Sequence, residues 1–69
     1  MTDELRLKAA IVLSGLSRQE VADSIGISLY SLHLKLHNKR EFKPSEIAKL
    51  SKLLNIEDKD AVFFVEQVN

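Results

Sequence analysis

The chain has 69 residues, of which 45% are hydrophobic and 29% charged, and its ten Lys and Arg are balanced by ten Asp and Glu. A chain this short forms one small domain, and without cysteine it has neither disulfides nor thiolate zinc sites, so hydrophobic packing must stabilise it. A net charge of zero is unusual for a free-standing nucleic-acid-binding protein. No apolar run, such as that at residues 9–13, is long enough to span a membrane, and the lack of cysteine suits the cytoplasm.

The first half of the chain predicts two helices. Residues 3–14 follow an acidic start and end at Gly15, which occupies a C-cap position, so they predict helix 1. Ser17 stands as an N-cap with Glu20 three residues later, the spacing of a capping box, and Gly26 ends helix 2.

Two further helices follow. Ser28 is placed to cap helix 3, which is expected to stop near Asn38, and Pro44 is well placed to start helix 4, which ends at Asn55. The last segment, residues 58–68, predicts a short capped helix running into an extended tail, with a strand as the open alternative.

These elements predict an all-α fold, a compact bundle of four to five helices that forms a single domain over residues 1–69, with a C-terminal apolar segment at 57–69. The apolar residues that repeat with the helical period predict the core. They are Leu16, Val21, Ala22, Ile25, Ile27, Leu32, Leu36, Ile47, Leu50 and Leu54.

Residues 17–37 meet the requirements of a helix-turn-helix. Ala22 is small where two helices approach closely, and Gly26 supplies the positive φ that a tight turn needs. Ile27 and Leu32 are spaced to fill the angle between the helices.

The runs Leu-Ser-Arg-Gln-Glu-Val-Ala at 16–22 and Ile-Gly-Ile-Ser at 25–28 resemble the phage repressor and Cro-type family, a lambda-repressor-like DNA-binding domain. Residues 34–47 are similar to small Cro-like proteins of temperate phages that infect Gram-positive bacteria, and the resemblance covers roughly residues 5–56. It implies a transcriptional regulator of the lysogeny/lysis switch in the bacterial cytoplasm, with helix 3 in the major groove of operator DNA.

The resemblance also implies which residues meet DNA. Arg18 matches a phosphate-contacting position, and residues 37–39 match the turn that contacts the DNA backbone. Residues 35–43 add four cations against one acid, whereas the tail at 57–69 is acidic. The expected DNA contacts are Arg18, Ser28, Tyr30, His33, Lys35, His37 and Lys39.

The base-reading positions of the family hold Leu29, Tyr30 and Leu34, which offer few hydrogen bonds to base edges. Together with the zero net charge, this favours an alternative: an anti-repressor, or modulator of repression, that binds a phage repressor protein through these three residues and binds DNA weakly or not at all. Burial of Leu29 and Leu34 in the core is the structural alternative.

Helix 1 is apolar around most of its circumference, which predicts a protein interface unless residues 62–68 cover it. A weak homodimer through helix 1 or the tail is therefore a further expectation. His33 and His37 have the i, i+4 spacing of metal ligands, but Leu34 stands where a zinc protease needs its glutamate. No catalytic residue, metal or cofactor is expected.

Overall fold

The fold is built from five short helices and contains no strand in residues 1–66, the part of the chain that the computed structural model describes. The radius of gyration, 11.0 Å, equals the roughly 11 Å expected for a compact chain of this length. The predicted compact all-α bundle is confirmed. The short helix predicted after Asp58 covers residues 59–63, residues 64–66 form neither helix nor strand, and the end of the predicted tail, at 67–69, lies outside the described residues. The helices are α1 (Glu4–Ser14), α2 (Arg18–Ile25), α3 (Leu29–Leu36), α4 (Pro44–Leu53) and α5 (Lys59–Phe63).

Local sequence signals set the helix ends. The Ser17 hydroxyl accepts from the Glu20 N–H at 3.1 Å, and the Glu20 carboxylate accepts from the Ser17 N–H at 3.0 Å, which completes the predicted capping box. Hydrogen bonds from the Ser17 backbone and hydroxyl hold the pKa of Glu20 below its ordinary value. Gly15 and Gly26 end α1 and α2 with φ of 75° and 79°, as predicted.

The core contains eight of the ten predicted residues, while Leu16 and Ile27 are partly exposed and pack against it. Phe42 and Phe63 also belong to it, and their rings meet edge to face with centroids 5.5 Å apart. Phe42 thereby anchors the loop between α3 and α4 against α5. The core residues that the helical period did not predict are Leu7, Ile11, Phe42, Val62 and Phe63.

Hydrogen bonds tie the segment before α1 to the turn after α3 and to α5. Asn38, with φ of 59°, accepts a hydrogen bond from the Thr2 N–H at 2.8 Å and donates one to the Thr2 carbonyl at 2.9 Å. The Asp3 N–H donates to the Val62 carbonyl at 2.7 Å. These bonds place α1 beside α3 and α5.

α1 buries one side and exposes the other. Leu7 and Ile11 are in the core, whereas Leu5, Val12 and Leu13 are exposed. Part of α1 therefore remains uncovered although α5 packs against this helix.

Residues 26–28 connect α2 to α3, and α2 packs against both α3 and α4. The predicted helix-turn-helix requires two short helices joined in this way, and its assignment stays a prediction. Within residues 1–66, none of the helices combines the length and the apolar character needed to cross a bilayer.

Replacing Ala22 with leucine is expected to destabilise the protein by about 1–3 kcal/mol, because Ala22 is completely buried in the core and the added atoms overpack it. Urea-induced unfolding measures this loss. Ala48→Leu is the matched control, since Ala48 lies exposed on α4. Equal stability of the two variants would contradict the placement of Ala22.

Candidate interaction surface on α3

One side of α3 faces solvent and carries apolar, aromatic and imidazole side chains. Leu29 and Tyr30 are 43% and 69% exposed, and His33 is also exposed. Leu34 and His37 are partly buried. We call these five residues the outer face of α3; both leucines predicted to bind a partner lie on it, and neither is part of the core.

A groove runs between the start of α2 and the outer face of α3. Arg18 and Gln19 line one side, Leu29 and Tyr30 line the other, and the buried Leu32 closes it from beneath. The Gln19 amide donates to Asp23 at 2.9 Å, so this side chain is held along α2. The groove thus offers an apolar floor with a cation and a phenol at its rim, which suits an apolar side chain of a partner.

Lys35 does not lie on this surface. Its side chain is buried, and its Nζ donates to both carboxylate oxygens of Glu46 on α4, at 2.5 and 2.7 Å. An ammonium held in this way is turned away from solvent and paired, which counts against the prediction that Lys35 contacts DNA.

Glu46 has a second role at the start of α4. Its Oε1 accepts from the Lys43 backbone N–H at 2.9 Å, which satisfies a donor at the helix N-terminus. Burial raises the pKa of Glu46, but the hydrogen bonds from Lys35 and Lys43 and the charge of Lys35 outweigh it and lower the pKa below its ordinary value. The Glu46 carboxylate therefore caps the start of α4 and also binds α3 through Lys35.

The two histidines lie together at the C-terminal end of the outer face. Their rings meet edge to face with centroids 4.5 Å apart, and His37 Nδ1 lies 3.3 Å from Glu4 Oε2 on α1. Glu4 is also 3.9 Å from the Lys8 ammonium. Among the described residues, no group of three or more His, Cys, Asp or Glu side chains is arranged to hold a metal ion.

The other residues predicted to contact DNA lie before α3, after it and at the start of α2. Ser28 caps the helix: its hydroxyl accepts from the Ser31 N–H at 3.0 Å and lies 3.0 Å from the Ser31 hydroxyl. Arg18 and Lys39 are exposed. The structure thus brings Arg18, Tyr30 and His33 to one groove, and Tyr30, His33, His37 and Lys39 line a second, neighbouring hollow.

Glu46 and Glu4 were not predicted to be neighbours of α3. The sequence did contain a signal for Glu46. Lys35 follows Leu32 by three positions and directly precedes Leu36, which places Lys35 on the inward side of α3. A lysine on such a side needs an acidic partner. No local pattern pointed to Glu4, since 33 residues separate it from His37.

No family model, no curated protein and no solved structure matches the chain.

Removing one partner of the Lys35–Glu46 pair is expected to be costly, because it leaves the other charge buried and unpaired. Lys35→Met leaves the Glu46 carboxylate buried without its ammonium partner, which costs about 3 kcal/mol or more. The double variant Lys35→Met/Glu46→Met removes both charges and is expected to recover most of that loss. Lys52→Met, at an exposed lysine of α4, is the control, with a change within about 0.5 kcal/mol. A Lys35→Met protein as stable as this control would contradict the assignment.

The same pair predicts a pH dependence. Because the folded state lowers the pKa of Glu46, its stabilisation is present above the ordinary value of 4.5 and is lost as pH falls through the lower folded pKa. The stability difference between the wild type and Glu46→Gln should therefore shrink between neutral pH and about pH 3 in thermal melts. A difference that grows on acidification would contradict the direction of the shift.

Proposed function

We propose that the protein modulates repression by binding a phage repressor protein through the outer face of α3, with weak DNA binding of its own. The exposure of Leu29 and Tyr30 carries this proposal, because both occupy positions at which the resembled family reads bases. Leucine and tyrosine supply contact area to a protein partner but few hydrogen bonds to base edges.

The charges around α3 support a protein partner over DNA. Glu46 pairs with Lys35 and removes one cation from the surface. The Glu4 carboxylate beside His37 adds a negative charge where a phosphate would approach the turn after α3. With a net charge of zero, the chain also lacks the overall attraction that brings DNA-binding proteins to a duplex.

In this proposal the groove between the start of α2 and the outer face of α3 receives an apolar side chain of the repressor. Tyr30 packs along that side chain while its hydroxyl stays near water, and Arg18 at the groove rim pairs with an acidic or carbonyl group of the partner. Binding lowers the amount of repressor that is free to occupy its operator. Repression is thereby relieved without a chemical step.

Operator binding is the second candidate function, and the exposure of Arg18 at the start of α2 and of Lys39 after α3 favours it. In that case phosphates provide most of the contacts, because the outer face of α3 is largely apolar. Sequence preference would then depend on Tyr30 and His33.

Tyr30→Ala is expected to lower affinity for the phage repressor by about 2 kcal/mol or more, roughly thirtyfold, as at an interface hot spot. The melting temperature should change little, since Leu32 and Leu36 keep α3 in the core. Calorimetric titration with the purified repressor measures the affinity. Phe64→Ala, at another exposed aromatic residue, is the control with unchanged affinity. Absence of repressor binding by the wild type would overturn the proposal.

Titration with duplex DNA decides between the two candidate functions. If DNA is the ligand, Arg18→Ala and Lys39→Ala should weaken binding to all sequences about equally and each lower the salt slope by roughly 1, while Lys52→Ala should leave the slope unchanged. Tight operator binding with this pattern, together with a repressor affinity that does not depend on Tyr30, would favour the transcriptional regulator.

A further inference from the structure

Tyr30 and His33 form a ridge between two hollows on the outer face of α3. One hollow is the groove between the start of α2 and α3, which both side chains line. The same two side chains also line the other, which we call the second hollow. Its remaining lining residues are Glu4, Leu34, His37 and Lys39. Because the hollows share this ridge, a single partner segment laid across Tyr30 and His33 contacts both.

Each hollow is lined by one exposed arginine or lysine. Arg18 lines only the groove and Lys39 lines only the second hollow, so they lie on opposite sides of the ridge. The ion pairs found within residues 1–66 use other cations, namely Arg6, Lys8, Lys35 and His37. Arg18 and Lys39 are thus available to carboxylates of a partner.

Negative charge is scarce on this surface. Glu4 is the one acidic side chain among the described residues that line the two hollows. Its carboxylate lies 3.9 Å from the Lys8 ammonium and 3.3 Å from His37 Nδ1, so groups of the protein itself partly balance its charge. The two hollows together are therefore positive, which is complementary to an acidic segment.

The apolar surface of the groove distinguishes an acidic peptide from a nucleic acid. Leu29 and Tyr30 are exposed here, and the buried Leu32 forms the floor. A DNA backbone supplies charges for both cations but no apolar side chain for this floor, whereas a peptide supplies both. The groove therefore favours a peptide whose apolar side chain is flanked by carboxylates.

We propose that the repressor segment bound by the outer face of α3 is acidic, an inference that rests on the function proposed above. An apolar side chain of the segment enters the groove beside Tyr30, and carboxylates on the two sides of that side chain pair with Arg18 and Lys39. Because both cations are exposed, these pairs contribute mainly to the association rate, and their contribution decreases as salt rises.

Charge reversal tests this proposal in stopped-flow and calorimetric titrations with the purified phage repressor. Arg18→Glu and Lys39→Glu are each expected to lower the affinity about fivefold or more, mainly through slower association, and to reduce its dependence on salt. Lys52→Glu is the matched control, since Lys52 is exposed on α4, lines neither hollow and undergoes the same change of charge. Its affinity should remain within about twofold of the wild type.

A second pair of variants separates a lost ion pair from a disturbed fold. Arg18→Gln and Lys39→Gln remove each charge without adding an acid, and each should cause a smaller loss of affinity than the corresponding reversal. Both sites are exposed and form no ion pair within residues 1–66, so the melting temperatures of all these variants should stay close to that of the wild type.

Two results would overturn the acidic segment while leaving repressor binding in place: charge-reversed variants that bind the repressor as tightly as Lys52→Glu, or an affinity that does not change with salt between about 50 and 500 mM. A loss confined to the binding of duplex DNA would assign both cations to phosphates and would also overturn it. A wild type that does not bind the repressor would instead overturn the proposed function itself.

Discussion

The buried ion pair between Lys35 and Glu46 ties α3 to α4 on the side of α3 that faces the core. Lys35 lies on the same side of the helix as Leu32 and Leu36, and pairing this ammonium with α4 holds all three inward. The opposite side, with Tyr30 at its centre, faces solvent. Removing one partner of a buried ion pair is costly, whereas replacing both partners is tolerated. Such a pair therefore contributes more to how the two helices are oriented than to the net free energy of unfolding.

The orientation of α3 separates the cations of residues 35–43 into different roles. Lys35 stabilises the bundle, whereas Lys39 and Arg40 lie on the surface after the helix. What remains on the outer face of α3 is mainly a leucine, a tyrosine and two imidazoles, one of them beside a carboxylate. A surface of this composition gains affinity by burying apolar area, as protein interfaces do, more than by neutralising phosphates.

The helix ends were predictable because their signals are local. Ser17 with Glu20, Gly26 in a left-handed conformation, and Pro44 at the first position of α4 each act within one turn of the chain. The core was predictable where residues repeat with the helical period inside a clear helix. It was missed at Phe42, which lies in a loop without periodicity, and at Ile11, where the apolar run at 9–13 offers no contrast between the two sides of α1.

The sequence by itself determined the helical class, the caps and most of the apolar positions, since backbone propensity and hydrogen bonding over three or four residues decide these features. It also placed Leu29, Tyr30 and Leu34 together on one helix. Only the tertiary structure decided that Lys35 is paired inside the bundle, that Glu4 approaches His37, and that Lys39 lines the same hollow as Glu4. Each of these depends on contacts between residues 11 to more than 30 positions apart, because the direction in which a helix packs is set by the whole core.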